Sequence, residues 1–395
     1  MSSELTSERA SDDSDSSVRT TGGSGGRSGH LSRRSYLAAT GATVALGTAG
    51  CTGGPGGALP TINVITWEEF EEMEDNIEDT LDVELEITPS TSSGEMFSQW
   101  NSGQDEQFDI AVPNNNLVPR FMEADLIEPV DTDVVSNFGN LYETFQGLAN
   151  SQFSAGGDLY GVPVRFGWYG YAYDTREVPD HEPSYKIMFE EDYVDTDLDG
   201  EVIMYDEANK TMPVAALYLG FEEALQGDRM TFSTDQINQM RDLLIEQKPR
   251  LQGYISSDPT FIQEFEQGNF LVGHSGRNEI VEMLDQGEDW VEFVVPKEGA
   301  MAWYETAVVS AASDNKEAAW EVVNEFVAPE NGAALARAGF SPSCNPSVAD
   351  ELNEEENEMF GSIDPSRLEG MIPFKAIDSD VESEYEAAWE EVKAA

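Results

Sequence analysis

Residues Val291–Phe326 read V-E-F-V-V-P-K-E-G-A-M-A-W-Y-E-T-A-V-V-S-A-A-S-D-N-K-E-A-A-W-E-V-V-N-E-F. The stretch falls into three pieces. Val291, Phe293, Val294 and Val295 make a short β-branched and aromatic run that Pro296 stops, the pattern of a strand ending in a turn. After Gly299 and Ala300 a second run follows at Ala307-Val308-Val309. Between them stand Trp303, Tyr304 and Glu305, two rings and a carboxylate that a connecting segment can present to a cleft; ordinary core aromatics are the equal alternative. From Lys316, apolar residues recur at Ala319, Trp320, Val323, Phe326 and Val327, a helical spacing. Strand, aromatic–acid cluster, strand and amphipathic helix together predict a crossing between two lobes.

Upstream, strands and helices alternate. Thr61–Thr66 predicts a first strand that delivers Trp67-Glu68-Glu69-Phe70 at its end, with a helix to about Thr80. Leu81–Thr88 alternates like a second strand, Glu95–Asn101 reads as helix, and Phe108–Val112 as a third strand ended by Pro113 and Asn114-Asn115-Asn116. Such alternation predicts βαβ units and a largely parallel sheet, whose ligands sit beyond the carboxyl ends of the strands. The run Leu159–Tyr173 is dense in aromatics and reads as a strand approaching a hinge, with Tyr171 and Tyr173 more core-like than Arg165 and Trp168. Further on, Val202–Tyr205 predicts a strand, Met212–Ala224, Thr234–Gln247 and Ser383–Val392 predict helices, and Phe270–Arg277 a strand and turn. The acidic loop Glu190–Glu201 departs from the calcium-loop pattern and reads as solvated.

The 395 residues include 77 acidic against 21 basic, a formal net charge of -56. That balance excludes nucleic acid and anionic membranes as electrostatic partners. With 39% hydrophobic and 10% aromatic residues, it describes a folded protein with an acidic surface, similar to proteins of extreme halophiles and haloarchaeal-like, working where salt screens the repulsion. Residues 1–50 combine a polar leader, Ser32-Arg33-Arg34-Ser35-Tyr36-Leu37 and a mild apolar run; this resembles a twin-arginine (Tat) signal peptide. Thr48-Ala49-Gly50-Cys51 resembles a lipobox, which implies cleavage before Cys51, lipidation of its thiol, and a flexible tether over 51–60. The expected location is the outer face of the cytoplasmic membrane.

No catalytic constellation is visible. There is no Gly-x-Ser-x-Gly, no phosphate-cradling glycine loop and no Cys-x-x-Cys, and His30, His181 and His274 lack metal-ligand spacing. A carboxylate pair for glycoside hydrolysis is uninformative among so many acids. No enzyme, metal or cofactor is predicted.

The landmarks Trp67, Phe108-Asp109-Ile110-Ala111-Val112-Pro113, Tyr160-Gly161-Val162-Pro163, Val295-Pro296-Lys297-Glu298-Gly299, Trp303-Tyr304-Glu305 and Gly339-Phe340-Ser341-Pro342 resemble the extracellular solute-binding proteins of polyamine-type (spermidine/putrescine) ABC importers. The resemblance runs from Ile62 to Lys393. It implies an α/β, two-lobed periplasmic-binding-protein-like fold of type II, with a hinge and a ligand cleft between the lobes. Lobe one is expected at 60–172 plus 302–348 and lobe two at 173–301 plus 349–395. It also implies a monomer that captures a small polar solute and hands it to an ABC permease; a secreted hydrolase or a surface sensor lipoprotein are the alternatives. In the family, aromatics box the ligand's methylene chain and carboxylates pair with its amines. On that pattern the ligand-binding residues are Trp67, Asn114, Asn116, Arg165, Glu207, Lys210, His274, Trp303, Glu305, Phe340 and Lys375. Lys210 stands where a second acid is usual, His274 where an aromatic is usual, and Asn114–Asn116 where a tyrosine segment is usual. Arg165, Lys210, Arg277 and Lys375 are four of only 16 basic residues after Cys51 (21 less Arg9, Arg19, Arg27, Arg33 and Arg34). Scarce cations at cleft positions point to an anionic or zwitterionic group on the ligand. The landmarks make Trp303 and Glu305 the expected ligand contacts and leave Tyr304, on the other side of an extended segment, to the core.

Overall fold

A computed structural model describes residues 59–361 and 371–395. The predicted signal peptide, the lipid-anchor cysteine Cys51 and the tether up to residue 58 lie outside them. Among the described residues no helix is long and apolar enough to cross a membrane.

The chain opens with β1 (Thr61–Thr66), β2 (Glu84–Pro89) and β3 (Ile110–Ala111), all parallel. A small hairpin, β4 (Ser154–Ala155) with β5 (Asp158–Leu159), precedes β6 (Val162–Asp174), a strand of 13 residues, every one of them buried. Then come β7 (Val202–Tyr205), β8 (Leu251–Ile255), β9 (Val272–Gly276), β10 (Val291–Val294), β11 (Ala300–Val309) and β12 (Met371–Pro373). The main sheet runs β2-β1-β3-β11-β6-β9-β7-β8, with β10 added to β6 and β12 to β11. It is parallel at both ends and antiparallel in the middle, where β11 lies against β3 and β6, and β6 against β9. The expectation of a largely parallel sheet therefore holds for the βαβ ends only. Long-range antiparallel partners, invisible to local periodicity, build the centre.

Two hydrophobic cores divide the sheet. One gathers residues from Ile62 to Trp168 and from Tyr304 to Cys344; the other runs from Tyr169 to Trp303 and resumes at Ile372–Val392. The cores change over inside β6 and β11. The fold is thus α/β and two-lobed, with β6 and β11 crossing between the lobes. A third, smaller cluster joins Val281 with Ala333, Ala336, Val348, Leu352 and Phe360, so an apolar contact also links the helices Arg277–Asp285 and Pro329–Gly339.

The helix predicted from Lys316 spans Lys316–Phe326, and Ala319, Trp320, Val323 and Phe326 are all buried. Thr234–Gln247 is a helix with a Ser233–Gln236 capping box. Two expectations shift. The helix placed at Met212–Ala224 runs Ala208–Tyr218 with Pro213 inside it; the burial of Met212, Val214, Ala215 and Leu217 outweighs the lost backbone bond. Trp303-Tyr304-Glu305 belongs to strand β11, not to a connection, because β6 and β3 supply its backbone partners.

Close packing along β6 fixes its glycines. A Cβ on Gly170 would lie 2.2 Å from the backbone oxygen of Val294, and a backbone atom cannot turn aside. Gly170→Ala is expected to cost about 1–3 kcal/mol, the range for overpacking, read as a lowered urea midpoint; an unchanged midpoint would contradict the β6–β10 packing.

Candidate functional site

A cleft of about 320 Å³ opens between the two cores. Glu69, Gly339 and Phe340 form one side; Asp258, Glu279 and Glu282 stand on the other. Glu69 belongs to the 3-10 turn Glu68–Met73 that follows β1. Phe340 caps the helix Pro329–Gly339 in the left-handed region, φ 49°. The residue before it must be glycine, since a Cβ on Gly339 would sit 2.0 Å from a guanidinium nitrogen of Arg165.

That arginine anchors one wall. Arg165 Nε donates to Glu305 Oε2 at 2.6 Å and its Nη2 to Oε1 at 3.0 Å, with both side chains buried; Glu69 adds a 3.5 Å contact. This is a bidentate, charge-assisted pair. It forms where the β6–β11 register shifts between Tyr304 and Thr306, a bulge that re-aims the side chain it carries. Burial pushes the Glu305 carboxyl up to about 7, against the pull of Arg165.

Behind the acids of the other side, an aromatic cluster packs around Tyr205, which touches the lining residues Asp258 and Glu279. Lys210 Nζ lies 4.3 Å from the Tyr205 ring centre, 5.5 Å from that of Tyr169 and 3.4 Å from Glu207. Burial opposes its charge, but Tyr169, Glu207 and Asp258 hold the ammonium well above the usual lysine range. His274 packs against Tyr169 and Tyr205 at 5.3 and 5.6 Å. Burial, then the neighbouring Lys210, pushes its imidazole down to about 3, so it is neutral at working pH. The Tyr205 hydroxyl stands 2.8 Å from Asp258 and 2.6 Å from Glu279. Burial, then Asp258, pushes the Glu279 carboxyl up to about 8.

The residues expected at the site distribute as follows. Asn114 forms a backbone bridge with Glu305 and its Oδ1 is buried without a partner; Asn116 is buried close by in sequence. Trp67 is half-buried, its indole N–H on the Val112 carbonyl at 2.9 Å. Glu207, Lys210 and His274 come together around Tyr169 and Tyr205, and Phe340 lines the cleft. Trp303 packs over Gly167, where a Cβ would meet its ring at 2.4 Å; it borders a separate apolar cavity of about 240 Å³ with Phe145, Phe166 and Pro373. Tyr304 is in the core against Phe145 and Phe153. Lys375 turns to the Leu225 carbonyl at 3.0 Å. Sequence reasoning did not single out Glu69, Asp258, Glu279 or Phe374. The Phe374 ring lies 5.7 Å from that of Tyr169, and its carbonyl accepts from Asn115.

The cations expected to meet an anionic ligand group have partners within the protein. Arg165 is held by Glu305, Lys210 by Glu207 and two rings, and Lys375 by a carbonyl. Arg277 contacts the Met359 carbonyl and lies 5.2 Å from the Trp168 ring centre.

Sequence and fold comparisons find proteins similar to this chain. The putrescine-binding periplasmic protein PotF of Escherichia coli K12 is 20% identical over 299 residues, 73% of this chain and 78% of the relative. A putative spermidine/putrescine ABC transporter from Listeria monocytogenes superposes with TM-score 0.70 at 20% identity, covering 84% of this chain and 98% of that one. The TpPotD lipoprotein of Treponema pallidum gives 0.71 at 17% identity, covering 84% and 99%. The model of the bacterial extracellular solute-binding proteins matches residues 67–360. With most of its length matched, the chain belongs to that family.

Proposed function

We propose that this chain is the capture component of an ABC importer and that its ligand is a small organic cation of the polyamine type. The carrying observation is the charge of the cleft. Glu69, Asp258, Glu266, Glu279 and Glu282 line it with no lysine or arginine among the lining residues, while the arginine behind Glu69 is already paired with Glu305. Burial and mutual repulsion raise Glu279 and Glu282 above the ordinary carboxylate range, a strain that a bound cation relieves. The curated and solved relatives named for putrescine and spermidine point the same way. As lobes we take 60–172 plus 302–348 and 173–301 plus 349–395, closing over the ligand by population shift. From the resemblances at Arg33-Arg34 and Cys51 we add Tat export and a lipid anchor, from the net charge of -56 a working environment of high salt, and from the family resemblance a monomer. The relatives are binding proteins, which supports capture over the hydrolase reading.

Thermal unfolding in molar salt with putrescine, spermidine, glutamate and succinate tests this. A polyamine at about 100 times its Kd stabilises by about 2.7 kcal/mol, and the carboxylates do not. The polyamine affinity rises between pH 6 and pH 9, because a cation prefers the ionised form of Glu279, whose proton leaves near pH 8. Stabilisation by the carboxylates instead, or affinity falling with pH, would sink the cation assignment in favour of a zwitterionic or anionic ligand.

A further inference from the structure

Glu279 is the most deeply placed acid on the cleft, with 1% of its surface exposed. As the third residue of the helix Arg277–Asp285 it caps the helix start, its Oε1 accepting from the Gly276 amide at 3.3 Å. Capping uses that one oxygen. The other, Oε2, is buried and has no hydrogen-bond partner, an expensive condition for a carboxyl oxygen. Across from it Asp258 opens the helix Asp258–Glu266. The Tyr205 hydroxyl sits between the two carboxyls, within hydrogen-bond distance of each. A hydroxyl carries one proton, so it cannot donate to both at once. With Glu279 ionised, two acids, one shared proton and one orphaned oxygen form a cluster short of donors beside the cleft.

We propose that Asp258, Glu279 and the Tyr205 hydroxyl form an ammonium subsite on the lobe-two wall, receiving one end of a diamine whose other end faces Glu69. An alkylammonium brings three N–H donors and one positive charge, which meets the shortage on this wall. Lys210 explains why the subsite lies here. Its own ammonium covers the Tyr205 and Tyr169 rings beside Glu207, so an incoming amine is turned from that face toward the carboxylates. Lys210 offsets part of their charge, yet Glu207, Asp258 and Glu279 outnumber it.

This subsite rests on the polyamine reading above, and the experiment separates the two. Putrescine and butylamine share one amine end and a four-carbon chain, and only putrescine has a second ammonium. Their affinities are measured by calorimetry for the parent, Glu279→Gln and Asp258→Asn. Each variant is expected to lower the putrescine-to-butylamine affinity ratio by about tenfold, the loss of one charge-assisted contact. Melting temperatures without ligand at or above the parent's show that Glu279→Gln folds. If the parent binds putrescine and both variants keep its ratio, the subsite is wrong and the polyamine reading stands. If the parent binds neither amine, both fall.

Discussion

Replacing Arg165 with methionine is expected to lower the unfolding free energy by about 3–5 kcal/mol at pH 7, the cost of leaving one member of a buried ion pair alone. Both oxygens of Glu305 receive a guanidinium N–H, and with Arg165 gone neither has water to turn to. The loss grows as pH rises above about 7, since the paired Glu305 ionises there whereas an unpaired buried acid keeps its proton. The double change Arg165→Met with Glu305→Leu recovers most of the loss, because two apolar groups leave no orphaned charge. Urea titrations of the parent, the single and the double variant, at pH 7 and 9, decide the matter. A single variant within about 1 kcal/mol of the parent would mean that the pair is solvated and that the wall of the cleft is not built as described.

The second large effect is a pH slope. Glu279 is held at about 8 in the folded chain, against about 4.3 for a free glutamate. The native state therefore holds this proton more tightly than the unfolded one. Stability is complete below about pH 4.3 and declines as pH rises through about 8, by up to about 1.4 kcal/mol per unit. Glu305, raised to about 7, contributes in the same direction, so the measured quantity is the difference between parent and Glu279→Gln. That difference grows to about 3–5 kcal/mol in favour of the glutamine variant at pH 9. Denaturation at fixed molar salt, which screens the other carboxylates, isolates it. A pH-independent difference would show that Glu279 titrates as an ordinary surface acid. The same residue thus weakens the empty protein at high pH and serves the filled one, a trade of stability for binding.

Periodicity carried much of the fold. The apolar spacing from Ala319 to Phe326 forces one helix face into the core, and the alternation at Tyr304 put its ring there too. The centre of the sheet was less legible. Ala-Met-Ala-Trp-Tyr-Glu has little β-branched content, and its strand exists because β6 and β3 offer backbone partners more than a hundred residues away. At the site, Arg165 and Glu305 were each readable, but their pairing spans 140 residues. Their pairing is what supports the cation reading proposed above over an anionic ligand group: a paired arginine offers an anion little. Asp258 and Glu279 could not be picked from 77 acids. Both stand in the first turn of a helix, where an acid has an ordinary reason to be, and only the fold brings Tyr205 between them.

Strand β6 begins in one core and ends in the other, and β11 returns through the same boundary. Neither half of the molecule is a contiguous piece of the gene. A break within 162–174 leaves each fragment with part of a strand whose every residue is buried, and with raw β edges where neighbours belong. The two halves cannot be exchanged one at a time with those of another binding protein, as beads on a string can. Novelty in what this molecule holds must arise residue by residue along the cleft.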